Sequence, residues 1–208
     1  IWKYFRGLVE PSEGLEWTAP GFDDAAWPPG DSGFNGRPSR DDETGTALGD
    51  QIGSFTTLYL RHVFDVESIE GIDKLLLALR FEDGIVAYLN GKEIARRNAG
   101  SPEMRLPHDA LASRVLDAPR LELLAAVDSS LLVPGKNVLA IQGLVHERRS
   151  YVFLLPVLAA VLEPDEKLDG MRKPGLAKGP DGAPDLALAA YRSARLFERA
   201  GKIDEALV

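Results

Sequence analysis

The chain has 208 residues, with 24 Lys and Arg against 32 Asp and Glu and a formal net charge of −8. At 45% apolar it is too rich in core-forming side chains for wholesale disorder, and without Cys it has neither a disulfide framework nor thiolate chemistry. The acidic balance argues against nucleic acid or an anionic lipid surface as a main partner.

In chain order, the first 34 residues hold Trp2, Tyr4, Phe5, Trp17, Phe22, Trp27 and Phe34, interrupted by Pro and Gly. This reads as irregular chain anchored by large rings. The rings plug a core, since aromatics bury large areas, or one or two of them form a platform on which a sugar stacks. Gly30 to Phe55 is a long loop holding the acidic run Asp41, Asp42 and Glu43. Such a run is either a solvated surface or the oxygen-rich kind of site that calcium takes.

Leu58 to Val66 is a predicted strand with Leu60, Phe64 and Val66 on one face. Lys74 to Arg96 is predicted as a three-stranded meander, because Asp83-Gly84 and Asn90-Gly91 supply the positive φ that two-residue hairpin turns need. Asn98 to Pro119 is another long loop. Pro134-Gly135 launches a strand over Asn137 to Gly143. Tyr151 to Leu162 is the last strand, where Pro156 calls for an edge or a bulge. It is the longest apolar run and too short to span a bilayer as a helix, which takes about 20 residues. Short strands and long loops predict a mainly β protein, an antiparallel β-sandwich over 1–162.

Composition changes at Glu163. Residues 163–184 hold four Pro and four Gly in 22 positions and no aromatic, which reads as a linker. Residues 185–208 carry helical signals. With Ile1 rather than Met at its start, the chain is expected to be a fragment of a longer multidomain polypeptide.

The ordered set Trp2-Lys3-Tyr4-Phe5, Trp17, Gly21-Phe22-Asp23-Asp24-Ala25-Ala26-Trp27, Tyr59-Leu60-Arg61, Glu82-Asp83-Gly84-Ile85-Val86-Ala87-Tyr88-Leu89-Asn90-Gly91, Glu93-Ile94-Ala95-Arg96 and Pro134-Gly135-Lys136-Asn137-Val138-Leu139-Ala140 resembles the galactose-binding-domain-like jelly-roll modules of large multidomain bacterial proteins. Glu82 stands where those modules have the first Asp of the turn. Arg148-Arg149-Ser150-Tyr151 replaces their Ser-Ser-Asp-like stretch. The resemblance implies a jelly roll that accompanies hydrolases, kinases or adhesive repeats. Some relatives hold a sugar or a structural calcium in the loops. In the tail, Ala194, Phe197, Gly201, Ile203 and Ala206 have the spacing of the first half of a tetratricopeptide repeat. That segment either opens a repeat array that takes a protein partner, or is a lone amphipathic helix docking on the sandwich.

Signs of catalysis are missing from the residues. His62, His108 and His146 lack metal-ligand spacing, and no nucleophile elbow or phosphate-cradling loop occurs. The expectation is a non-catalytic ancillary module that binds carbohydrate or mediates domain contacts. The alternative is a purely structural spacer without a small-molecule ligand. Trp17, Trp27, Arg97 and Asn98 are the candidate ligand-binding residues. Asp41, Asp42 and Glu43 are the candidates for a structural calcium, the one cofactor considered. The basic pairs Arg96-Arg97 and Arg148-Arg149 either balance local acids or bind a carboxylated sugar. An extracytoplasmic or cell-surface setting is slightly favoured.

Overall fold

Alternation of apolar and polar side chains builds two β-sheets, seen in a computed structural model that describes residues 1–37 and 45–162. In chain order the strands are β1 (Trp2–Arg6), β2 (Pro29–Gly30), β3 (Phe34–Asn35), β4 (Thr46–Ala47), β5 (Thr57–Val66), β6 (Ile72–Phe81), β7 (Gly84–Leu89), β8 (Lys92–Arg97), β9 (Arg120–Asp128), β10 (Gly135–Leu144) and β11 (Phe153–Leu162). The first sheet has the order β2-β1-β5-β10-β7-β8 and the second β4-β3-β11-β6-β9. Pairing is antiparallel throughout, except for the short parallel contact of β3 with β4. The protein is thus mainly β, a sandwich as expected. The linker 163–184, the segment 185–208 with its repeat-like spacing, and Asp41, Asp42 and Glu43 lie outside the described residues.

The core fills the space between the sheets. Leu58, Leu60, Phe64 and Val66 of β5 meet Leu75, Leu77, Leu79 and Phe81 of β6, with Ile85, Leu139, Ile141, Leu154 and Leu158 around them. The predicted inward set of β5 is therefore the observed one. A second cluster covers the outer face of the first sheet: Trp17, Trp27, Leu106 and Ala112 from the loops lie on Tyr59, Val86, Tyr88, Ala140 and Leu144. That sheet is buried on both faces.

Two local readings change. Trp2 to Arg6 is not irregular chain but strand β1, with Trp2 and Tyr4 in the core and Phe5 packed on the outer cluster. The 74–96 meander is also corrected. Asn90-Gly91 is a two-residue hairpin turn, with φ of 51° and 87°, joining Leu89 to Lys92. Asp83-Gly84 is not a hairpin turn. β6 belongs to the second sheet and β7 to the first, so Glu82-Asp83 carries the chain across the sandwich. Only Asp83 has positive φ there, 67°, and its bonds run to other loops rather than back to β6.

Pro156 sits where a missing N–H does little harm. β3 pairs with β11 only at Phe153 and Leu154, so the edge beyond is open. The Pro156 carbonyl faces Ser32 on that side, and its N would face the same way. No helix among the described residues is long and apolar enough to cross a membrane.

Candidate functional site

The sheet-to-sheet crossing organises one end of the sandwich. Asp83, 1% exposed, accepts the N–H of Leu116 at 2.9 Å and of His146 at 2.7 Å through its two carboxylate oxygens. Its carbonyl accepts from Asn98 Nδ2 at 2.7 Å. One aspartate therefore welds the crossing, the loop after β8 and the loop after β10. His146 completes the weld, with Nδ1 donating to the Ala112 carbonyl at 3.1 Å.

The segment after β10 is held as firmly. Gln51, fully buried, accepts the Val152 N–H at 3.0 Å and donates to the Phe55 carbonyl at 3.0 Å and the Ser150 carbonyl at 3.3 Å. Gly36 donates to the Val152 carbonyl, and a Cβ there would come within 2.4 Å of Gln51 Oε1. These contacts fix Tyr151 as a half-buried ring, with the Arg37 guanidinium 5.7 Å from its centroid. Beside them lies Glu82, 8% exposed, hydrogen-bonded to Tyr151 and carrying one carboxylate oxygen, Oε2, without a partner. A buried polar atom left unpaired costs about 1–3 kcal/mol, so such an atom marks a place where a partner belongs.

Burial pushes the Glu82 carboxyl from 4.5 up to about 7, against the opposing hydrogen bond from Tyr151 and with help from the Asp83 charge. A carboxyl raised on folding holds its proton more tightly in the folded state. Its contribution to stability is full below about 4.5 and is lost as pH climbs to about 7, with an upper bound of about 3 kcal/mol. Denaturant unfolding of the wild type and Glu82→Gln across pH 4.5–7.5 should show the two stabilities diverging as pH rises. Parallel profiles would refute it. Burial also lowers His62 to about 4, which removes stability as pH falls below its ordinary 6.5, but equally in both proteins.

Of the predicted ligand-binding residues, Asn98 lies at this end, with φ of 50°, as the brace of Asp83. Arg97 is nearby on β8 and bonds Glu122 of β9 at 3.1 Å, tying the two sheet edges together. The expectation that Trp17 and Trp27 present a stacking platform is corrected. Trp17 is 2% exposed, edge-on to Tyr59 and Tyr88. Trp27 is 5% exposed, stacked on Phe5 and edge-on to Phe22. Covering the outer face of the first sheet consumes both rings. Of the basic pairs, Arg96 is fixed by both oxygens of Glu93, and Arg148 and Arg149 are exposed near Tyr151.

The sequence reading missed Glu82 and Tyr151 as a pair, although both stand where the resemblance breaks. It also missed Arg61. This side chain is fully buried on the outer face of the first sheet, donating to Asp24 Oδ2 at 2.8 Å and to the carbonyls of Trp17 and Ala19. Elsewhere, Glu10 gathers the His108 N–H at 2.9 Å, its Nδ1 at 3.1 Å and Arg105 at 3.1 Å. Partial burial opposes its ionisation, yet these donors hold it below the ordinary carboxylate value. A shallow groove of about 390 Å³ between the outer edges of β8 and β9 has an aliphatic and mixed-charge lining without a ring. Among the described residues, no three His, Asp or Glu side chains converge as a metal site.

No protein-family model and no curated protein matches the chain. Solved structures show similarity. A glycosyl hydrolase family 2 member from Bacteroides cellulosilyticus aligns with a TM-score of 0.37 and 12% identity, over 75% of this chain and 20% of that one. A β-glycosidase from Bacteroides vulgatus gives 0.36 and 16%, over 80% and 24%. A Bacteroides uniformis β-glucuronidase gives 0.37 and 15%, over 75% and 17%. The chain spans about a fifth of the length of these proteins.

Proposed function

We propose that the chain is a non-catalytic ancillary module of a larger protein, a jelly roll of the galactose-binding-domain-like kind, that holds carbohydrate at the end where Glu82, Tyr151 and Arg37 meet. The observation that carries this reading is the buried Glu82 carboxyl with one unpartnered oxygen beside a half-buried ring. A sugar hydroxyl, which can both donate and accept, supplies the missing partner. The Tyr151 ring offers a flat apolar surface to the C–H face of a pyranose, and Arg37 offers donors to its oxygens. Asn98 and Gln51 are positioning residues, which hold Asp83 and the Tyr151 segment in place. The histidines are already committed: His62 to the Ile1 carbonyl, His108 to Glu10 and His146 to the Ala112 carbonyl.

Calorimetric titration with a panel of neutral and acidic mono- and oligosaccharides at pH 6 tests this. Saturable binding is expected, weakened at least tenfold by Tyr151→Ala and clearly by Glu82→Gln. A wild type inert to the whole panel would overturn it. The second reading is a structural spacer without a small-molecule ligand. It is favoured by the internal use of Trp17, Trp27 and Arg61, and it predicts that inert wild type.

A further inference from the structure

A buried oxygen without a partner waits either for a donor or for an acceptor, and the surroundings of Glu82 decide which. Its neighbour Asp83 is fixed as an acceptor, because its two carboxylate oxygens take the N–H groups of Leu116 and His146. No proton is shared there. Beside it, the Glu82 carboxyl is 8% exposed, and burial first, then the Asp83 charge, oppose its ionisation. Two adjacent carboxylate charges out of water are costly, so the second carboxyl keeps its proton. The Tyr151 hydroxyl donates to one Glu82 oxygen, which leaves Oε2 to carry that proton. Below about pH 7 the orphan atom is therefore an O–H donor.

The charged groups around it are mostly donors as well. Arg37 is exposed, its guanidinium lies 5.7 Å from the Tyr151 centroid, and among the described residues no carboxylate pairs with it. Its charge works against the raised Glu82 carboxyl, and an anion set against Arg37 would cancel that effect. Arg80, two residues before Glu82, lies over Phe153 at 5.0 Å. The His146 ring is committed to the Ala112 carbonyl. Arg148 and Arg149 are exposed on the turn leading into Tyr151, which the Ser150 N–H closes on the Glu147 carbonyl, and Glu147 is the one acid in that turn. An O–H and an unpaired guanidinium thus border one flat ring. A sugar hydroxyl satisfies one of them. A carboxylate has two oxygens with about four lone-pair positions, which suits both at once.

We propose, resting on the carbohydrate reading above, that the ligand is an acidic sugar, a hexuronate whose carboxylate lies between the Arg37 guanidinium and the protonated Glu82 while its C–H face covers the Tyr151 ring. The site then fills in mildly acidic to neutral surroundings and empties as Glu82 ionises, because two facing carboxylates repel. Between pH 6 and pH 8 the protonated fraction of a carboxyl titrating near 7 falls about tenfold, whereas the sugar's own carboxylate is ionised throughout.

The probes are the methyl glycosides of glucuronic and galacturonic acid and of glucose and galactose, titrated calorimetrically into the full chain. At pH 6 one of the acidic glycosides should bind at least about tenfold more tightly than its neutral counterpart, a difference of about 1.4 kcal/mol. Arg37→Gln, an exposed position that leaves the core untouched, should erase that preference. From pH 6 to pH 8 the wild-type affinity for the acidic glycoside should fall about tenfold. At pH 8, titrations in two buffers of different ionisation enthalpy should show close to one proton taken up. Glu82→Gln should bind more weakly at pH 6 and not change with pH. Equal affinity for the acidic and neutral glycosides would overturn the proposal and leave the carbohydrate reading standing. An affinity that is flat or rises with pH would overturn it too, since Glu82 would then not be the donor. A wild type inert to all four probes and to the wider panel would overturn both readings together.

Discussion

Replacing Arg61 with Ala is expected to destabilise the protein by about 3–5 kcal/mol, the range for breaking a buried ion pair from one side. The side chain is 0% exposed, and its Asp24 partner is 19% exposed. Its guanidinium joins Asp24, the carbonyls of Trp17 and Ala19, and the face of Phe22 at 5.2 Å. Removal leaves the Asp24 carboxylate and the Trp17 carbonyl without this donor, while the Ala19 carbonyl keeps only the Phe22 N–H, and it loosens the segment carrying Trp17 and Trp27 from the first sheet. Lysine should not rescue, because one ammonium cannot serve acceptors arranged for a planar fork. Arg61→Met with Asp24→Asn should recover part of the loss, since it removes the stranded charge as well as the donor. Urea unfolding followed by tryptophan fluorescence reads both effects. A loss under about 1 kcal/mol would show that the loops hold the sheet without this residue.

Asp83 is the second position of large effect. Asp83→Ala orphans the N–H groups of Leu116 and His146, bonds to a charged acceptor worth about 1.5–3 kcal/mol each. It also puts a Cβ residue without a compensating side chain at φ 67°, at a further cost of about 1 kcal/mol. A total near 4 kcal/mol or more follows. Asp83→Gly relieves the backbone and still orphans both donors. Asp83→Asn tolerates the left-handed backbone and keeps one acceptor, but turns an amide toward the other N–H. Denaturant midpoints should therefore fall in the order Asn, Gly, Ala. An alanine variant as stable as the asparagine one would refute the role given to the carboxylate.

The central strands were legible because their alternation is clean. β5 reads from Leu60, Phe64 and Val66, and β10 from its Pro-Gly launch. The Asn90-Gly91 hairpin reads from turn chemistry alone. β1 was hidden because Phe5 is apolar on the outward side, where a loop layer waits for it. β9 was missed because a bulge opposite Leu77 and Ala78 breaks the period around Leu124. The Asp83-Gly84 error has the same root. A dipeptide reports local φ, whereas the destination of the chain depended on carboxylate bonds to Leu116 and His146. The candidate site was least legible, since Glu82, Arg37 and Tyr151 come from three distant stretches. Only Asn98 of the earlier candidates sits in its framework.

The strand order has a consequence for synthesis. The middle of each sheet is closed by the last strands made: Leu60 pairs with Ile141 and Leu77 with Leu158. Until β10 and β11 leave the ribosome, β1 with β5 and β7 with β8 are separate ribbons, and β6 has only β9. Loop closure on this scale is slow, in the range of milliseconds to seconds for β proteins. The nascent chain therefore carries the aliphatic strands Leu58–Val66 and Leu75–Phe81 with one edge each unpaired until the last strands are made. Chaperone capture at those two stretches, ending abruptly once residue 162 has emerged, is the pattern that this order of strands imposes on the cell.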